Sequence, residues 1–453
     1  MSLGAFGGYI VVAVGYKQTI TATLRKTEHE CEVVWSVNGK EVVKDVTNYE
    51  FEATEVGTYH IVATATNPHG EATDSVTIEV VNAEDLDVIY EFDATEYHVV
   101  EGRTLLIRPS QINKSKGVTY AWVLDGQEQG SNSNRAHFLL NSTEIGQHTL
   151  EVKASTYINE PIEVRHTFTI EVIEEGLHRR VRTAASASVF SEVVEYMPAP
   201  GQFIGDMKTG GFTGQELTSE DARVYAEGRL RQNNWVSLGA FGGYIVVGFD
   251  HSVENISGAD IAITGNSFDG SSEPGVVWVM QDENGNGLAD DTWYELRGSE
   301  TGMGTTYQDY EVTYYRPTAS GMPVGWTDNK GGSGTIDYLA AFHNQPSYYP
   351  TWITTDSYTL RGTRLEARNY DRSGNGSMWV QPAYDWGYVD NASERDCSES
   401  INSLDIDNAI DVLGEPIELE YIDFVKIQSA VQAKSGWLGE LSTEVCNVVE
   451  ILQ

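Results

Sequence analysis

The chain has 453 residues, with 67 Asp and Glu against 29 Lys and Arg, for a formal net charge of −38. That length exceeds one ordinary core and calls for roughly two to four domains. A surface this acidic repels phosphate backbones and anionic lipid, which sets aside nucleic-acid binding and electrostatic membrane attachment. It suits solubility, cation binding or an extracellular setting.

The chain opens MSLGAFGGYIVVAVGY, with no basic stretch and with its apolar run broken by Gly, so no signal peptide is read there. Residues 2–12 and 237–247 are the same eleven letters, SLGAFGGYIVV. A duplication old enough to matter would have drifted, so the N-terminal copy is expected to be an artefact and carries no functional reading. Residues 1–82 and 83–175 then read as two successive β-sandwich modules. Trp35-Ser-Val-Asn-Gly39 and Trp122-Val-Leu-Asp-Gly126 each lead a strand into an Asn-Gly or Asp-Gly hairpin of the type I′ kind. Alternating strands follow, from Gly57 and from Gly146, and each module closes on another, over 74–81 and 166–173. The two Trp are expected between sheets, with Tyr59 near a strand corner. The modules resemble PKD and bacterial immunoglobulin-like domains, the first more closely through its Asn67-Pro-His-Gly70 turn. The resemblance implies spacers or stalks, and neither module holds a catalytic constellation.

Residues 176–195 read as a linker, with the basic cluster Arg179, Arg180 and Arg182 followed by a small, polar run. From residue 196 to the end one large β-rich domain is expected. Its clearest helix covers 220–231, capped by Thr218 or Ser219, with acids in the first turn and bases in the last. Strands are read at 243–249, 276–280, 310–315, 358–360, 378–380 and 424–427. The fold class is mostly β: two immunoglobulin/PKD-like sandwiches, then a sandwich or jelly-roll-like domain with one or two helices. Cys31, Cys397 and Cys446 make no C-x-x-C pair, so zinc and dithiol redox chemistry lack support. Cys397 and Cys446 are left open between a disulfide and free buried thiols. No run of about 18 apolar residues spans a bilayer.

In that last domain an apolar strand runs straight into DENGNGLADD, a loop packed with oxygen ligands. Asp282, Asn284, Asn286 and Gly287 match the first half of a calcium loop, and Asp290 takes its ninth position. The closing bidentate Glu is replaced by Trp293, so this is no EF-hand, and Asp291 or a distant carboxylate must complete the shell. The set read as calcium ligands is Asp282, Asn284, Asn286, Asp290 and Asp291. Asp371-Arg-Ser373-Gly-Asn375-Gly376 is a weaker echo. Asp405, Asp407, Asn408 and Asp411 read as a solvated turn or cap.

Between 293 and 388 aromatics crowd into segments without strand periodicity, Phe342 among them. Loop aromatics suit a platform for a flat or apolar ligand. The residues read as ligand-binding are Trp293, Tyr294, Trp326, His343, Tyr348, Tyr349, Trp352 and Trp386. Enzyme motifs are missing: no G-x-S-x-G, H-E-x-x-H, P-loop or G-x-G-x-x-G occurs. Carboxylates are abundant, yet nothing singles out a glycosidase pair, and no catalytic residue is expected.

Six ordered segments carry a resemblance of their own: PAPGQF from Pro198, SLGAFGGYIVVGFDHS from Ser237, DENGNGLADDTWYEL from Asp282, TLRGTRL from Thr359, DWGYVDN from Asp385, and IDFVKIQSAV through GWLGELSTEV from Ile422. Together they resemble the C-terminal domain of PKD-containing surface lipoproteins of gut Bacteroidetes. Some proteins of this look serve vitamin B12 acquisition, capturing cobalamin at the outer surface for a TonB-dependent transporter. The resemblance implies a monomeric, lipid-anchored cell-surface protein that binds cobalamin without enzymatic activity, with a glycan as the alternative ligand. The chain shows no lipobox cysteine, so the anchor rests on the resemblance alone.

Overall fold

The computed structural model describes residues 9–22, 31–68, 70–86, 89–112, 118–130, 135–141, 144–156, 163–204, 216–341, 343 and 345–452. His69 of the first module's turn, Phe342 and most of the repeated segment 2–12 lie outside these. The chain divides into two compact units, Met1–Glu175 with Asn329–Gly331, and Gly176–Asp328 with Gly332–Gln453.

The first unit holds two β-sandwich modules, each with its own core. In the first, a five-stranded sheet runs in the order Tyr9–Ala13, Gly70–Val81, Gly57–Asn67, Glu32–Val37, Lys40–Lys44, and the pair Lys17–Thr21 and Asn48–Glu52 stands apart from it. Trp35 is fully buried between them, and its indole N–H donates to the Val46 carbonyl at 2.8 Å. The second module repeats the plan: Trp122 is buried and donates to the Arg135 carbonyl at 2.8 Å. Asn38 and Gly39 have φ of +50° and +78°, and Asp125 and Gly126 of +49° and +77°. These are the paired positive angles that a type I′ hairpin requires. The first turn residue also anchors the neighbouring strand. Asn38 Oδ1 accepts the His60 N–H at 2.7 Å, and Asp125 Oδ1 accepts that of Thr149 at 2.8 Å. Tyr59 donates its hydroxyl to the Glu55 carbonyl at 3.2 Å, a strand-corner bond as expected.

The described end of the repeated segment is part of this fold. Tyr9–Ala13 is an edge strand lying parallel to Gly70–Val81, with Ile10 and Val12 buried. The second copy of YIVV begins the strand Tyr244–Glu254, which sits inside an antiparallel sheet. β-branched alternation fits either slot, because strand preference is set by packing context.

The second unit is a β-rich head. Its main sheet has six strands in the order Glu192–Met197, Tyr244–Glu254, Tyr421–Ser429, Gly275–Met280, Trp293–Leu296, Ala409–Ile410. One face shares a core with the sheet Cys397–Ser398, Ile401–Leu404, Ile261–Thr264, Asn447–Glu450, through Val247, Val425, Val277, Ile261 and Val448. A further sheet, Ser333–Ile336, Val324–Asp328, Tyr307–Tyr315, Ser357–Arg364, builds a second core around Tyr310, Val312 and Tyr314. Gln428 ties it to the main sheet by donating to the carbonyls of Gly242 and Arg361 at 2.8 and 3.0 Å. The helix is Ser219–Leu230, with a Thr218 capping box closed by Asp221, and it drops Ala222, Ala226 and Leu230 into the first core. Among the described residues no helix is long and apolar enough to cross a membrane.

The linker expectation for 176–195 needs correction. Arg180 donates to buried Asp423 at 2.9 Å and Arg182 to Glu450 at 3.0 Å, while Arg179 pairs with Glu254. Phe190 is in the main core, and Glu192–Met197 is an edge strand of the main sheet. The basic cluster is therefore the clamp that seats the first stretch of the head. The three cysteines are free, so Cys397 and Cys446 do not pair.

Candidate functional site

The calcium-type loop grows directly out of the central strand Gly275–Met280. Asp282 is 2% exposed; its two carboxylate oxygens accept the N–H groups of Asn286 and Gly287 at 3.1 and 3.0 Å. Asn284 Oδ1 accepts the Asn286 N–H at 2.8 Å. Asp290 takes the side-chain amides of Asn284 and Asn286 at 3.0–3.2 Å. Asp291 folds back over the turn and accepts the N–H groups of Glu283 and Asn284 at 2.8 and 3.3 Å. The five expected residues are thus joined by hydrogen bonds within one turn. Burial pushes the Asp291 carboxyl up to about 7, with Asp290 and Asp282 adding repulsion. A hard dication would relieve that crowding, and oxygen is the donor it prefers.

The echo loop shares the design. Gly285 and Gly287 have φ of +70° and +78°; Gly374 and Gly376 have +68° and +82°. In both loops the first Asp accepts the N–H of the sixth-position Gly, at 3.0 Å for Asp282 and 2.6 Å for Asp371. The echo carries one carboxylate where the first loop carries three. The third acidic group is a cap and a turn, as expected: Asp405 caps Ile406–Asn408, and Asp411 accepts from Leu413 and Glu415.

The aromatics divide sharply. Tyr294, Tyr348, Tyr349 and Trp352 are buried, at 1, 1, 3 and 7% exposure. Tyr294 and Trp352 fill the main core, while Tyr348 and Tyr349 fill the second. Tyr348 donates to the His343 carbonyl at 2.8 Å, and His343 meets the Phe203 ring edge-on at 4.7 Å. The four buried rings serve as packing in the two cores, and His343 is partly exposed beside them. Trp326, Trp293 and Trp386 are partly exposed and lie on separate elements.

Trp293 has company that sequence reading missed. Lys426 Nζ lies 5.0 Å from the Trp278 ring, 5.0 Å from Trp293 and 5.8 Å from Tyr244. The four residues come from four adjacent strands, with Lys426 directly opposite Trp278. Tyr244 donates to Glu195 at 2.7 Å on the edge strand beyond. The result is a partly exposed aromatic lane across the sheet, threaded by one cation. Ring-to-ammonium attraction of about 0.5–2 kcal/mol per contact holds the rings in place. Beneath it burial pushes the Glu295 carboxyl up to about 7, opposed by its bond from Thr363 and by the Lys426 charge. Trp278 gave no such signal in the sequence, because it lies in a continuously apolar strand whose other residues are all buried.

A second cluster lies inside the head. Single oxygens of Glu273, Asp390 and Glu444 lie within 4.8 Å of one another. Asp390 accepts from the Asn266 and Glu444 N–H groups at 2.8 and 2.9 Å. Glu444 accepts from Ser442 Oγ and Asn266 Nδ2 at 3.0 and 3.2 Å. Glu273 accepts from the Ser442 N–H at 3.4 Å and is hydrogen-bonded to Glu444. Protein donors therefore already reach these oxygens, and the crowding of three buried carboxyls favours their protonated forms. Burial is the main cause of raised carboxyls, Glu273 at about 8 and Asp390 at about 7, with Glu444 well above its ordinary value.

No family model matches the chain, and no curated protein matches it. Parts of solved structures are similar. Fibronectin(III)-like modules of Clostridium thermocellum CbhA share 18% identity over 38% of this chain and 94% of that one, with a TM-score of 0.17. The N-terminal Ig1-2 module of Drosophila receptor protein tyrosine phosphatase DLAR shares 14% over 36% and 94%, at 0.18. Sidekick-1 immunoglobulin domains 1–4 share 15% over 39% and 49%, at 0.19. Likenesses at these TM-scores carry no argument, and the assignment here rests on the sheet orders and cores above. The class is a modular β-sandwich protein: two immunoglobulin-like modules followed by a β-rich head.

Proposed function

We propose that this chain is a non-enzymatic ligand-binding protein of a bacterial cell surface, in which the two modules act as spacers and the head captures a small molecule. The observation that carries the reading is the lane of Tyr244, Trp278 and Trp293 around Lys426. It keeps large rings partly open to solvent on a rigid sheet, an expensive use of aromatic surface unless a ligand covers it. The leading ligand is cobalamin, named by the family resemblance. A corrin face would lie on the rings, with Lys426 and Glu195 meeting its amide fringe, and a TonB-dependent transporter would receive it. Calcium on Asp282, Asn284, Asn286, Asp290 and Asp291 would stiffen the turn that delivers Trp293 to the lane.

Titration of the full chain with cyanocobalamin, followed by calorimetry and absorbance, tests the ligand. Binding at micromolar concentration is expected, with Trp293→Ala costing about 2 kcal/mol, or about thirtyfold in Kd. No heat and no spectral change would sink the cobalamin reading. The flat, open form of the lane favours a glycan as the second reading, since sugar rings stack on such strips; hits on a glycan array would favour it. Release of reducing sugar would count against both.

For the metal, calcium is expected to raise the melting temperature of the head and chelator to reverse it. Asp290 is exposed, and among the described residues its bonds are to the two Asn side chains within the turn. Asp290→Asn should therefore abolish the calcium shift and leave melting in chelator unchanged. Identical melting of the wild type with and without calcium would refute the site.

A further inference from the structure

The head also encloses a cleft of about 310 Å³, none of whose lining residues belongs to the lane. Trp386, Arg297, Arg395, Asp396, Asp405 and Asn408 supply its chemistry. We propose that this cleft binds a single neutral sugar ring, and the proposal stands whatever ligand the lane takes.

Backbone packing fixes the wall. Gly387 has φ of +88°, and a Cβ there would lie 2.5 Å from the Gly298 Cα, so no other residue fits beside Trp386. The Gly387 N–H donates to Asp396 Oδ2 at 2.5 Å, and the Trp386 carbonyl accepts from the Ser299 N–H at 3.0 Å. Arg297 leaves the end of Trp293–Leu296 and is held to Asn408 twice, N–H to carbonyl at 2.9 Å and Nε to Oδ1 at 3.3 Å. Arg395 lies 5.1 Å from the centre of the Trp386 ring and 3.6 Å from Asp385.

The lining balances two guanidiniums against the carboxylates of Asp396 and Asp405, so it selects neither anions nor cations. It does select a ligand that donates and accepts hydrogen bonds at several points. Asp396 Oδ1 has no hydrogen-bond partner among the described residues, although its partner oxygen is tied down. That oxygen is enclosed by protein, so the polar groups offered to the cleft are the Arg297 and Arg395 guanidiniums, Asn408 and the Asp405 carboxylate. The indole supplies the apolar surface on which the C–H face of a ring packs. The volume sits at the lower end of small-molecule sites, which admits one ring and excludes a macrocycle.

Saturation-transfer NMR and calorimetry of the full chain with a panel of free hexoses, pentoses and N-acetylhexosamines test the proposal. At least one sugar is expected to bind with millimolar Kd. Trp386→Ala should weaken it at least about tenfold, while Trp293→Ala leaves it unchanged. Should Trp386→Ala fail to fold, Arg395→Gln replaces it, because Arg395 is 64% exposed and its contacts are the Trp386 ring and Asp385. No binding by any sugar at tens of millimolar, roughly the weakest range of interest, would overturn the proposal. So would binding that survives the cleft variants or that disappears with Trp293→Ala. Cobalamin binding responds to Trp293 and sugar binding to Trp386, so each reading fails on its own residue.

Discussion

Asp423→Ala is expected to destabilise the head by about 3–5 kcal/mol, the cost of breaking a buried ion pair from one side. Asp423 has no exposure and sits in the central strand Tyr421–Ser429. One carboxylate oxygen takes Arg180 at 2.9 Å and Ser252 Oγ at 2.7 Å; the other takes the Asp282 N–H at 2.8 Å. The substitution strands three donors at once, two of them deep in the fold, and an orphaned buried donor costs about 1–3 kcal/mol. It also unseats the segment that begins the head and loosens the first residue of the calcium-type loop. Urea unfolding of the head provides the measurement. Asp423→Asn keeps one acceptor and should cost less than the Ala variant. A loss under about 1 kcal/mol for Ala would show that Arg180 and Asp282 have other anchors.

The head is expected to lose stability as pH rises from 5 to 9, by at least about 2 kcal/mol. Glu273, Asp390 and Glu444 hold their protons more tightly when folded than when unfolded. Between the unfolded value near 4.5 and the folded value of about 8 for Glu273, the native state binds protons that the unfolded chain has released. Stability therefore falls through that window and levels off above it. Glu440 and Glu295, both pushed up to about 7 by burial, act in the same direction. Glu273→Gln tests the cause: its amide supplies a permanent donor to Glu444 while its oxygen still accepts the Ser442 N–H. The variant should match wild type at pH 5 and melt higher at pH 9. An unchanged slope would place the pH dependence elsewhere.

Much of the architecture was legible because its signals are local. Asn38-Gly39 and Asp125-Gly126 mark hairpins by turn chemistry, and Thr218 with Asp221 marks the helix start by capping. The calcium-type loop was readable for the same reason, since its oxygens sit within ten residues. What stayed hidden depends on partners far away in the chain. The Arg179 to Arg182 cluster reads as solvated until Glu254, Asp423 and Glu450 are brought to it. Trp293 and Tyr294 are adjacent and both read as ligand contacts, yet a strand sends neighbours to opposite faces. Which face is core was decided by sheets that the sequence does not order. Lys426 and Trp278 are separated by about half the length of the head and meet only as register partners. The carboxylate cluster gathers Glu273, Asp390 and Glu444 from three distant segments, with no motif to announce it.

The YIVV copies have a consequence for how this chain folds. One copy ends at the rim of a sandwich and the other in the interior of the head's main sheet. Each slot accepts the same letters, with Val11 half-buried at the rim and Val246 buried in the head, so each copy is a candidate substitute for the other. The slot between Glu192–Met197 and Tyr421–Ser429 is completed by residues far apart in sequence, so it forms late. Until then the N-terminal copy is an internal decoy, carried on the same molecule at high local concentration. What keeps assembly faithful is the context that only the second copy carries: Gly248, where a side chain would meet the Phe424 ring, and the strand's continuation to Glu254.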